Sequence, residues 1–103
     1  MTKIIVLFGP PKDPKLFDEQ YWKDHVPIAK AMPGLKKYVV HKVIGAPKGD
    51  PAYYQVVELE FDSMDSMKKA LESQAGRDSG RHGVKIATGG ITFLFAESKD
   101  AMS

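Results

Sequence analysis

A chain of 103 residues has room for one hydrophobic core and not for two. Its net charge of +2 is small and its basic residues are scattered, which argues against a nucleic-acid surface, since that needs a dense basic stripe. There is no cysteine, so disulfides, thiolate metal sites and cysteine nucleophiles are excluded, and the apolar start is too short for a membrane span or signal segment, which makes the cytoplasm the expected compartment.

Residues 3–8 are rich in β-branched side chains and stop at Gly9-Pro10-Pro11, the pattern of a strand and a turn. Asp13-Pro14 then supplies an N-cap and a proline at the first helical position. From residue 15 to about residue 31 the period is helical. Phe17, Tyr21, His25, Ile28 and Ala29 share one arc, with Trp22 and Val26 at its edge and Asp18 as the polar exception inside it. Pro27 cannot donate a backbone hydrogen bond, so a kink or break is expected beside His25.

Residues 35–44 read as a second strand, with Tyr38, Val40 and Ile44 on one face and Val39, His41 and Val43 on the other. A loop over residues 45–51 leads into a third strand at 53–61. Asp62-Ser63 caps a second helix with Met64, Met67, Ala70 and Leu71 on one face. Residues 74–87 are polar and contain three glycines, a composition expected of a loop with a short helical piece. Gly89-Gly90 turns the chain into a last strand over 91–96, and residues 98–103 form a frayed tail.

The order is βαββαβ, a ferredoxin-like α+β fold whose two helices cover one face of a four-stranded antiparallel sheet. A sheet with one wet face should alternate apolar and polar residues. The runs at 4–8 and 92–95 do not, so the second face needs cover, and a second copy of the same sheet is the simplest partner.

The segment Phe17-Asp18-Glu19-Gln20-Tyr21-Trp22-Lys23-Asp24-His25-Val26-Pro27-Ile28-Ala29 resembles the first helix of EthD-like proteins, an aromatic pair followed by His-x-Pro-aliphatic. Pro33-Gly34-Leu35, Tyr38, Phe61-Asp62-Ser63-Met64 and Ala87-Thr88-Gly89-Gly90-Ile91-Thr92 follow in the family's order. The resemblance implies a single domain over residues 1–97 and a homodimer in which two sheets enclose an eight-stranded α+β barrel. It does not fix a reaction, because related barrels include isomerases, cyclases, cofactor-free monooxygenases and haem-degrading proteins.

His25 is the foremost candidate for chemistry. It lies on the inward arc beside a proline, and an imidazole suits proton abstraction next to a carbonyl. Its bland alternative is a histidine that only satisfies a freed backbone carbonyl. Tyr38 could polarise that carbonyl, and Phe17, Tyr21, Trp22 and Ile28 could wall a pocket, although for any one of the aromatics plain core packing is the better explanation. His41 lies on the strand face opposite Tyr38 and should not share a site with His25. His82 falls in the polar, glycine-rich stretch and is expected on a surface loop. Three histidines on three different elements make a metal site unexpected.

Two function classes remain. One is a cofactor-independent enzyme of the isomerase, cyclase or dehydratase kind, with His25 as general acid/base on a small carbonyl or aromatic compound. The other is a non-catalytic binding or accessory protein in catabolism, with a haem binder that uses His25 as axial ligand as a variant.

Overall fold

The computed structural model describes residues 1–103. Its elements are β1 (Thr2–Phe8), α1 (Pro14–Gln20), a π-helical turn (Tyr21–His25), α2 (Val26–Lys30), β2 (Lys37–Lys42), β3 (Gln55–Phe61), α3 (Met64–Glu72), α4 (Gln74–Ile86) and β4 (Ile91–Glu97). The four strands form one antiparallel sheet in the order β2-β3-β1-β4. Because β3 lies between β1 and β2, the helical crossover from β1 to β2 spans a strand that arrives later in the chain. That is the split-βαβ arrangement expected from the element order. No helix is long and apolar enough to cross a membrane.

All the helices lie on one face. Ile4, Val6 and Phe8 of β1 and Val57, Leu59 and Phe61 of β3 point to that side and are buried beside Phe17, Tyr21 and Met67. Each large apolar side chain buried in this way contributes about 1.5–3 kcal/mol. Gln55 is also fully buried but pairs neither atom of its amide, a cost of about 1–3 kcal/mol that the core must offset.

The other face mixes two kinds of surface. Ile5, Leu7 and Val56 are half-buried on it, and Leu94 is 48% exposed. Beside them Lys3 bridges Glu58 and Glu60, and His41 Nε2 lies 2.6 Å from Glu58. These partners hold the Glu58 carboxyl below its usual range, His41 first and Lys3 second.

The local signals of the first helix act as their chemistry requires. The Asp13 carboxylate accepts from the Leu16 N–H and Pro14 opens the helix. Asp18, the polar exception on the inward arc, bonds Lys42 Nζ and the Tyr54 hydroxyl, tying α1 to the sheet. Pro27 produces a distortion of a particular kind. The helix neither stops nor breaks; it widens ahead of the proline into the π turn, where the Val26 N–H bonds the Tyr21 carbonyl five residues back. Such single-turn insertions re-aim side chains and cluster at functional sites.

Two expectations are corrected here. Residues 74–86 are a 13-residue helix and not a loop: Ser73 caps it, and its first turn packs closely on the end of α3. A Cβ on Gly76 would sit 2.1 Å from the Ala70 carbonyl oxygen, so glycine is what lets α3 and α4 meet. Ile44 lies beyond the end of β2 and is 98% exposed, so the inward face of that strand ends with Tyr38 and Val40. The Gly89-Gly90 turn is formed as expected. There the backbone passes so close to Pro10 that a Cβ on Gly89 would lie 1.9 Å from its carbonyl oxygen. In the tail, Ser98 still bonds the Met1 carbonyl, and the residues after it are exposed.

Candidate functional site

Between the helical layer and the sheet lies a cavity of about 350 Å³. Its sheet side is built from apolar side chains of β1, β3 and β4, with Tyr38 of β2 as its one polar member. Its helix side exists because α4 turns Gly76, Ser79, Gly80 and Gly83 towards it, a spacing that aligns small residues on one face and leaves the space unfilled. Phe93 and Phe95 flank it on β4 and remain 46% and 58% exposed, so this side is open. No Asp, Glu, Lys or Arg lines the wall. Its polar side chains are His25, Tyr21, Tyr38 and Ser79.

The π turn carries two of these four. His25 is 7% exposed and its ring lies against Tyr21, with centroids 4.9 Å apart. The Tyr21 hydroxyl is 2.6 Å from that of Tyr38 on β2. Burial raises the pKa of both tyrosines, most strongly Tyr21, so both stay neutral hydroxyls. One hydroxyl hydrogen makes the bridge between them, and the other is left to donate to a ligand oxygen. His25 behaves in the opposite sense. Burial first, and the neighbouring His82 second, lower its pKa to about 4, so near neutrality the imidazole is uncharged.

His25, Tyr38 and Tyr21 are thus brought together at one wall. The other three pocket candidates lie elsewhere. Phe17 is inside the core, packed on Phe8, Tyr21 and Tyr54. Trp22 is 56% exposed on the far side of the helix, and Ile28 is half-buried outside the cavity lining. His41 is on the opposite face of the sheet, as its strand parity implied. His82 is the correction with most consequence. It sits on α4, half-buried, with its Nδ1 3.0 Å from Nδ1 of His25. Sequence reasoning missed this partner, and the only signal that could have found it was a helical reading of residues 74–86.

No three His, Asp or Glu side chains converge as metal ligands. A haem does not suit the cavity either. No lysine or arginine lines the wall to meet its propionates.

The family model for the EthD domain matches residues 10–89. An EthD family protein from Bacillus halodurans is 31% identical, superposes with a TM-score of 0.92, and the match covers 96% of this chain and 99% of that one. Two more distant chains share the fold. A dimeric ferredoxin-like protein from Thermobifida fusca is 18% identical with a TM-score of 0.70, covering 92% of this chain and 88% of that one. A cofactor-independent oxygenase from Streptomyces nogalater is 12% identical with a TM-score of 0.70, covering 98% and 95%. With its helix-one motif, its fold and the family match in agreement over most of its length, the chain belongs to the EthD family.

Proposed function

We propose that the cavity binds a small, uncharged aromatic or carbonyl compound and that His25 acts on it as general acid/base without a cofactor. The observation that carries this reading is the cavity wall itself: mostly apolar, free of charged side chains, with one neutral imidazole, the Tyr21–Tyr38 hydroxyl pair and the Ser79 hydroxyl. An uncharged wall repels ions by desolvation, and a few convergent polar groups orient what enters. In this reading a ligand carbonyl accepts from the Tyr21–Tyr38 pair while His25 Nε2 takes a proton from the adjacent carbon and returns it to another. Returned to another carbon, the proton gives an isomer. Delivered instead to a hydroxyl on the β-carbon, it lets that group leave as water with formation of a C=C bond. Where the carbanion adds to a second carbonyl of the ligand, a ring closes and the proton goes to the new alkoxide. The related oxygenase from Streptomyces nogalater supports cofactor-free chemistry as a possibility of this fold.

A second reading has its own observation. An imidazole whose pKa is drawn down to about 4 is a weak base, suited only to a strongly acidified C–H. If the ligand has none, the same site holds it unchanged, as an accessory binding protein would.

A thermal-shift screen tests the binding that both readings share. Neutral aromatic ketones, esters and phenols should raise the melting temperature in step with concentration, and carboxylates of the same skeletons should not. A response to the carboxylates alone would remove the reading.

The partner is a second copy of this chain. The half-buried Ile5, Leu7 and Val56 and the exposed Leu94 leave apolar area on the outer sheet face for a second copy to cover, while the carboxylates of Glu58 and Glu60 are already paired with Lys3. Light scattering at micromolar concentration should give about twice the 11.4 kDa chain mass, and the interface should exceed roughly 1,200 Å². A monomer at that concentration would overturn the dimer.

A further inference from the structure

The two imidazoles meet through like atoms, Nδ1 to Nδ1, at 3.0 Å. Their rings are tilted by only 21° and their centroids are 5.2 Å apart. That separation exceeds the N···N distance by about two ring radii, so the rings lie edge to edge, as a hydrogen bond to an in-plane lone pair requires. A neutral imidazole carries a single N–H, and a hydrogen bond needs one donor and one acceptor. One Nδ1 must therefore hold the proton and the other the lone pair. The choice made at His82 dictates what His25 presents at its other nitrogen, Nε2, which forms no hydrogen bond within the protein and belongs to a side chain that lines the cavity.

The surroundings leave this choice to the pair itself. Tyr21 lies on the face of His25, with its hydroxyl occupied by Tyr38. The π turn also carries Lys23 and Asp24, α2 carries Lys30, and α4 carries Arg77, Asp78, Arg81 and Lys85. None of them is ion-paired with either histidine, and Asp78 is bonded to Gln74. His82 does not line the cavity and is half-buried, so it has access to solvent that His25 lacks.

We infer that His82 is the positioning residue of the site: it sets the tautomer of His25 and exchanges the pair's proton with solvent. The inference rests on the reading of His25 as the group that handles the proton. With both rings neutral, His25 donates from Nδ1 and offers a lone pair at Nε2 to the cavity. The reverse arrangement would leave an N–H unpaired against apolar walls, and buried unpaired donors are rarer than unpaired acceptors. His82 then carries its proton on Nε2, where water can accept it. When His82 gains a second proton, both its nitrogens are donors. Its Nδ1 must donate to His25, and His25 is left with its proton on Nε2, facing the cavity as an acid. In turnover, Nε2 takes a proton from the ligand carbon as the Nδ1 proton of His25 passes to His82 Nδ1. The His82 Nε2 proton is released to water, and the reverse sequence returns a proton to the product. No net proton and no co-reactant is consumed.

The test is long-range ¹H–¹⁵N correlation of the imidazole rings in a pH titration carried through the charging of His82, without any ligand. In wild type, His25 should hold its proton on Nδ1 at the upper end and on Nε2 at the lower end, with its midpoint coinciding with the charging of His82. In His82→Phe, His25 should show one tautomer throughout. A His25 tautomer that stays fixed while His82 charges overturns the inference, as does a His82→Phe protein whose His25 switches like wild type. If that variant does not fold, the wild-type titration decides alone. Failure of the ligand screen leaves this result intact, so the two readings fail separately.

Discussion

Gly80→Leu should strongly weaken binding in the cavity while leaving the fold at least as stable as wild type. Gly80 lines the cavity from the middle of α4, and a Cβ built there meets no atom within 4 Å. A leucine therefore grows into empty space, where it displaces the ligand. A loss of roughly a hundredfold in affinity, about 2.7 kcal/mol, is expected. Removing a glycine from a helix interior should at the same time add about 0.5–1 kcal/mol of stability. The neighbouring glycines of the same face provide the contrast. Gly76→Ala must push against the Ala70 carbonyl and should destabilise, whereas at Gly83 the nearest atoms are Ile91 Cδ1 at 3.4 Å and His25 Cε1 at 3.5 Å, ordinary contact with little room beyond. Ligand titration and thermal melting of Gly80→Leu and Gly76→Ala measure both effects. A Gly80→Leu protein that binds like wild type would mean the ligand sits elsewhere.

His25→Ala should remove ligand binding or turnover and also change how the fold responds to acid. The folded-state pKa of about 4 lies below the ordinary value of 6.5, so the native structure refuses a proton that the unfolded chain accepts. Stability contributed in this way is complete above about pH 6.5 and is lost as pH falls towards 4, by an amount on the order of 2–3 kcal/mol. The variant lacks the group, so its loss of stability over that interval should be smaller by that amount. At pH 7 the variant should be less stable by about 1–3 kcal/mol, because the contact with Tyr21 and the bond to His82 disappear. Urea unfolding of both proteins at pH 7 and pH 4.5 gives the two differences. If the variant binds normally, His25 is a packing residue. An unchanged acid slope would mean that burial does not hold its proton off.

What the amino-acid sequence determined by itself was everything that depends on neighbours along the chain. Asp13 and Ser63 cap helices because their side chains reach the third N–H ahead. The strands are legible from β-branched runs bounded by glycine and proline. The inward arc of the first helix placed His25 and Tyr21 correctly because helical period is a local property. Strand parity likewise put Tyr38 on the core side and His41 on the other.

Only the tertiary structure decided three things. The first is α4: glycine and polar residues argue against a helix, and packing against α3 and the π turn overrides that weak preference. The second is the form of the distortion before Pro27. A proline forbids one hydrogen bond but does not say whether the chain kinks, breaks or takes up an extra residue, which here it does. The third is the site itself. Phe17, Trp22 and Ile28 have the same apolar character as the true wall residues, and periodicity cannot tell a side chain that fills the core from one that borders a space. His25 and His82 are 57 residues apart in the chain, and nothing local to either one announces the other. Their pairing is a consequence of two helices packed on one sheet face, which no pattern of neighbours along the sequence encodes.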